Sequence, residues 1–127
     1  MSVRRGEIYW VAFDPLQGSA QGAGRPALVI QNDTGNLHCP TTMVAAITSR
    51  VPPRPYPFVV ILEPDETGLP EVSVVNCAQL ATIHQTGPSS RLRPPRGSDA
   101  VRPIGRLEEA AMARVDLALR YSLALGE

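Results

Sequence analysis

Gly22-Ala23-Gly24-Arg25-Pro26 sets a permanently charged guanidinium between a glycine-rich loop and the short apolar run Ala27–Gln31. Glycines let a backbone approach a ligand closely, and a proline directly after the charge fixes the direction of the chain. Guanidinium is a planar fork that binds phosphate or carboxylate in bidentate fashion. Two readings stand side by side: a surface ion pair at the start of a strand, or a clamp on a phosphate. A second polar group, Thr48 with Ser49, follows the apolar run Met43–Ile47. A threonine there either suits the strand by its β-branching or offers a hydroxyl to an anion. Ser19 and Gln21 lie in the loop ahead of Arg25, and Gln79 lies in a later apolar segment. Each is either plain solvated polarity or a ligand contact.

Other chemistries are excluded or disfavoured. All 12 basic residues are arginine, so neither a Schiff-base lysine nor a lysine-dependent phosphate loop is possible. His38, Cys39, Cys77 and His84 could be drawn as a metal site, but their spacing matches no standard zinc pattern, so no metal is expected. The 2 cysteines read as partly buried thiols of a reducing compartment. Trp10 reads as core, Tyr9 and Phe13 as core or subunit contacts, and Asn32 and Asp33 as turn formers.

The elements that must position these groups are short. Glu7–Phe13 is aromatic and β-branched and reads as a strand, followed by a loop to Gly24. Strands are expected over Ala27–Gln31, Met43–Ile47 and Phe58–Leu62, with one or two more over Ser73–Ile83. Asn32–Asn36 reads as a turn, the proline-rich Val51–Pro57 as non-strand, and the segment 63–71 as a hairpin-type loop. Residues 85–103, rich in proline, serine, glycine and arginine, read as irregular and exposed, with a short strand near Leu92. Leu107, Ala111, Val115, Leu119 and Ser122 recur at helical spacing, Glu108 and Glu109 suit a first turn, and Asp116 can pair with Arg120.

A chain of 127 residues with 43% hydrophobic and 19% charged residues fits one globular domain with one real core. No apolar run spans a membrane and the N-terminus lacks a signal-peptide pattern, so a cytoplasmic protein is expected. Formal net charge is zero, which gives no long-range attraction for nucleic acid, although a basic face can hide within a neutral sum. Short strands, proline-rich loops and one terminal helix predict a mainly β fold: a small antiparallel barrel or sheet with a C-terminal helix.

Five segments in order resemble the MazF/PemK toxin family: Arg4–Pro15, Gly18–Asp33, Ala45–Arg50, Val75–Ile83 and Arg114–Leu125. The resemblance covers nearly the whole chain. It implies an SH3-like barrel, a homodimer, and a metal-independent endoribonuclease without cofactor. Such an enzyme cuts single-stranded RNA at short sequences and is held inactive by a labile antitoxin. By resemblance Arg25 falls on the family's catalytic arginine and Thr48 on its catalytic threonine, while Ser19, Gln21, Ser49 and Gln79 become RNA contacts. The chain departs from the family in having Ala20 where an acid is frequent, and Ala81 and His84 where an arginine and an aspartate are frequent. Arg91, Arg93, Arg96 and Arg102 are candidates to replace the lost cation, or else members of a solvated loop. Two rival readings use the same barrel without the ribonuclease site: a CcdB-like gyrase inhibitor, and a degenerate toxin that only binds an antitoxin.

Overall fold

A computed structural model describes residues 2–13 and 24–126. Its framework is one curled antiparallel sheet with a C-terminal helix, the mainly β architecture that the strand pattern predicts, closed to the half-barrel that the family resemblance implies. The strands are β1 (Glu7–Val11), β2 (Arg25–Val29), β3 (Thr41–Thr48), β4 (Val59–Leu62), β5 (Ser73–His84), β6 (Leu92–Arg93) and β7 (Gly105–Arg106). Their order is β4-β5-β3-β2-β1-β6, with β7 also paired to β1. All pairings are antiparallel. Side chains alternate between the two faces of the sheet, which gives the curled sheet two apolar clusters.

One face carries Ile8, Leu28, Ile47, Leu62 and Val75 and is covered by α3 (Glu109–Ser122), through Ala111, Met112, Val115 and Ala118. The other carries Tyr9, Val11, Ala27, Val29, Val44, Ile83 and Leu92. Tyr9 is thus core, whereas Trp10, expected there, is only half-buried and faces a cleft. Burying a side chain such as Val115 is worth about 1.5–3 kcal/mol, so the helix face contributes a large share of the domain's stability.

Four local expectations are corrected. Asn32–Asn36 is not a turn, because α1 (Asp33–His38) begins there: the Asn32 side chain accepts from the Gly35 N–H at 2.8 Å, an N-cap. The segment after β4 contains a helical turn, α2 (Pro64–Thr67), closed by reciprocal Glu63 and Glu66 capping bonds and ended by Gly68 at φ 82. Asp116 pairs not with Arg120 but with Arg5, at 2.7 Å, while Arg5 Nε donates to the Ile30 carbonyl at 2.8 Å, so one arginine ties α3 to the end of β2. Gln85, placed in an exposed loop by composition, is buried. Its Nε2 donates to the carbonyls of Asn36, Cys39 and Thr41 and its Oε1 accepts from Val3 N. The same network holds Thr42 on Asn36 at 2.6 Å and fixes α1 against the start of β3. The remainder of 85–103 is irregular apart from β6, and the terminal helix starts at Glu109, after the buried Leu107.

Candidate active site

Sheet register brings the two foremost candidates together. β2 and β3 pair as Ala27↔Ala46, Leu28↔Ala45 and Val29↔Val44. Continued by two residues, the same register sets Arg25 opposite Thr48. Residues directly opposite share a face, with Cβ atoms roughly 5 Å apart. Thr48 is in turn opposite Val74 of β5. Arg25, Thr48 and Val74 therefore form one row across three strands. Next to it on the same face lies the row Ala27, Ala46 and Asn76.

This row opens into a cleft of about 330 Å³ lined by Arg25, Thr48, Ser49, Trp10, Glu71 and Ser73, together with Pro26, Ile47, Leu69 and Pro70. Arg25 is exposed and Thr48 half-buried. Among the described residues no carboxylate pairs with Arg25. The ion-pair alternative weighed for Arg25 is thus not what the described residues show. Thr48 Oγ1 accepts the Arg50 backbone N–H at 3.2 Å. The hydroxyl hydrogen is not engaged by that bond and can be given to a phosphate oxygen. A cation and a hydroxyl donor side by side match two non-bridging oxygens of one phosphodiester.

Trp10 supplies an aromatic wall. A Cβ on Gly24 would collide with the Trp10 indole, so the glycine before Arg25 makes room for that ring rather than for a ligand. Glu71 is the acidic member of the lining; sequence reasoning passed over it, because its proximity to Arg25 depends on how the β4–β5 connection folds back. Ser49 is exposed at the rim. Gln79 does not line this cleft: it sits in an irregularity of β5, where the partner of Ala45 is Leu80 and that of Ala46 is Asn76. Asn76 was also missed, having no signal in the sequence beyond its polarity. Ser19, Gln21 and Ala20 lie outside the described residues.

The arginine-rich segment contributes at one point. Arg93 is opposite Trp10, while its Nη1 donates to the backbone carbonyls of Ser90 and Leu92. Arg96 and Arg102 are exposed. His84, at the end of β5, is opposite Thr41 and far along the strand from Val74. Cys39 is exposed and Cys77 buried, and among the described residues no three His, Cys, Asp or Glu side chains gather as metal ligands. Burial pushes the Cys77 thiol up to about 11. Burial, then the neighbouring Glu7 carboxylate, raises the Tyr9 phenol as well. The Arg5 backbone N–H, which Asp33 accepts at 2.7 Å, lowers the Asp33 carboxyl. None of these three groups lines the cleft.

The chain is thus a curled antiparallel sheet with a terminal helix, carrying an exposed arginine beside a threonine hydroxyl at a cleft. The sequence model of the family described as "PemK-like, MazF-like toxin of type II toxin-antitoxin system" matches residues 4–123, and the chain belongs to that family. It is 37% identical over 125 residues to "Endoribonuclease EndoA" of Bacillus subtilis (strain 168), covering 98% of this chain and 97% of that protein. The fold is shared with an "Endoribonuclease in complex with its cognate antitoxin from Mycobacterial species", at TM-score 0.73, 20% identity and 99% coverage of both chains. It is shared too with "Mycobacterium tuberculosis toxin MazF-mt6", at TM-score 0.71 and 23% identity, over 95% of this chain and 99% of that one. Among the described residues no helix is long and apolar enough to cross a membrane.

Proposed function

We propose that this MazF-like endoribonuclease toxin cleaves single-stranded RNA at short sequences by internal attack, in the cytoplasm and without a metal ion. The observation that carries the reading is the placement of Arg25 beside Thr48, whose hydroxyl accepts the Arg50 N–H and keeps its own hydrogen to donate. In internal attack the ribose 2′-oxygen bonds to phosphorus as the bond from phosphorus to the 5′-oxygen breaks. One proton leaves the 2′-oxygen and one arrives on the 5′-oxygen. The products are a 2′,3′-cyclic phosphate and a 5′-hydroxyl, and no activated water is needed. Negative charge gathers on the non-bridging oxygens, where a fixed cation and a hydroxyl donor stabilise the transition state more than the ground state. Ser49 at the rim and Gln79 on β5 contact the flanking nucleotides, and Ser19 and Gln21 of the preceding loop are assigned the same role.

The regulating partner is an antitoxin with an acidic, partly apolar segment that is disordered when free. A cleft that holds phosphate around Arg25 also holds carboxylates, so antitoxin and RNA compete for it. Support comes from family membership and from the mycobacterial relative solved with its cognate antitoxin. Titrating antitoxin against a short uncleavable RNA should displace the RNA; unchanged RNA affinity at full inhibition would require a distorted site instead.

Incubating the purified protein with a long RNA in excess EDTA tests the catalytic reading. Discrete fragments with cyclic-phosphate ends are expected. Intact RNA together with gyrase inhibition would point to the CcdB-like alternative, and intact RNA alone to a toxin that only binds its antitoxin.

A further inference from the structure

Asn76 stands on the Arg25–Thr48 face of the sheet, one row along, and Gln79 follows it in the irregularity that separates Asn76 from Leu80 in the β3 register. Two bonds define their arrangement. Asn76 Oδ1 accepts the Ala78 backbone N–H at 2.9 Å, and Asn76 Nδ2 donates to Gln79 Oε1 at 3.4 Å. The first decides the second. A backbone N–H can only donate, so the oxygen of Asn76 must face Ala78 and its NH2 must face Gln79. Gln79 then turns its own oxygen inward and its NH2 outward. Gln79 is exposed, so that outward NH2 meets solvent or ligand.

We propose that Asn76 is a positioning residue that sets the polarity of the Gln79 amide. It thereby makes this subsite select a base with a keto oxygen at pyrimidine C4 or purine C6, uracil or guanine, over one with an amine at that place, cytosine or adenine. The inference rests on the ribonuclease reading and specifies its substrate. A keto oxygen accepts from the outward NH2. The amino group of adenine or cytosine at the same place sets donor against donor and leaves both unpaired, the arrangement that discriminates most strongly between bases. The row spacing supports the location. Asn76 is two strands and one row from Arg25, about 12 Å at ordinary strand spacing and rise, so the base read belongs to a nucleotide next to the scissile phosphate.

The test is sequencing of cut ends from random-sequence RNA, with binding of 2′-deoxy-substituted oligonucleotides measured in parallel. Wild type should favour uracil and guanine over adenine and cytosine by about tenfold at one position flanking the cut. Asn76→Asp keeps the shape but offers only acceptors, so Gln79 turns its NH2 inward and its oxygen outward, and the preference should swap to adenine and cytosine. Asn76→Ala frees the amide and should abolish the preference. Gln79→Glu, an acceptor only, should favour the amino bases even if Asn76→Asp folds poorly. A merely structural Asn76 would change rate or stability and leave base preference unmoved, and an unmoved keto preference in folded Asn76→Asp overturns the proposal. Wild-type cleavage with no keto preference at any flanking position also overturns it, with the ribonuclease reading intact. RNA that wild type neither cuts nor binds removes both.

Discussion

Arg25 and Thr48 come from strands separated by α1, yet the β2–β3 register makes them direct neighbours on one face, and the backbone of Arg50 holds the threonine's lone pair. Either position alone has an ordinary structural reading as well. Their adjacency produces a site, because a phosphodiester presents two oxygens to be held at once.

Arg25→Ala should therefore lower the cleavage rate about 10²–10³-fold, the loss seen when one preorganised stabiliser of a developing oxyanion is removed. Arg25 is exposed and among the described residues makes no ion pair, so the thermal midpoint should stay within a degree or two of wild type. Arg25→Lys should remain poor, because a point charge replaces a two-pronged fork. Single-turnover rates on a labelled oligonucleotide, with melting curves of the same samples, check both halves. An active Arg25→Ala would remove the arginine from the mechanism.

Thr48→Ala should slow cleavage strongly and Thr48→Ser only mildly. The hydroxyl accepts the Arg50 N–H and has a hydrogen to give to a phosphate oxygen; the methyl group has no such part. If serine and alanine variants cleave at the same rate, Thr48 serves packing.

A second copy of the chain is predicted to cover the far end of α3. Leu117, Tyr121, Leu123 and Leu125 are 66%, 61%, 51% and 60% exposed. Beside them Pro55, Pro57, Val59 and Ile61 line a groove of about 490 Å³ along β4, an edge strand of the sheet. Contiguous apolar surface next to an unpaired strand edge is unusual in a monomer. Light scattering at micromolar concentration should give twice the 13.7 kDa chain mass, and Leu117→Glu with Tyr121→Glu should halve it. A monomeric wild type would refute the dimer.

The two thiols should differ sharply. Cys39 is exposed and should alkylate readily at pH 8, whereas Cys77, buried and with its thiol pushed up to about 11, should react only on unfolding. The same shift has a stability consequence. A thiol whose folded value lies above its ordinary 9.0 keeps its proton better in the native state. Stability is then complete below about pH 9 and declines as pH rises from there towards 11. Tyr9, raised in the same direction, extends the decline to higher pH. Melting curves between pH 8 and 11, with intact mass after alkylation, test this; a midpoint that rises across that range would contradict it.

Strands were legible because their apolar runs are short and bounded by glycine and proline, and the terminal helix because Ala111 and Val115 recur on one face. What escaped was decided at long range. Asn32–Asn36 has turn composition, yet it is helical because Asn32 caps it and Gln85, 49 residues beyond Asn36, takes the Asn36 carbonyl. Asp116 had a plausible partner one turn away, but Arg5, 111 residues distant, holds it instead. Arg25 and Thr48 were found by resemblance and chemical type; that they share a row follows only from register. Trp10 and Glu71 were missed as cleft residues because a half-buried aromatic and a loop acid look ordinary until the sheet curls and the loop returns over them.

The account rests on the RNA's own 2′-oxygen as nucleophile, held against a phosphate that Arg25 and Thr48 stabilise. The measurement that addresses this most directly uses two oligonucleotides identical except for a 2′-deoxyribose on the 5′ side of the cut linkage, assayed with wild-type protein in EDTA. The ribose form should be cut to a cyclic phosphate and a 5′-hydroxyl, and the deoxy form should bind with similar affinity and stay intact. Cleavage of the deoxy form at that same linkage would show that an external nucleophile does the work and would contradict the account.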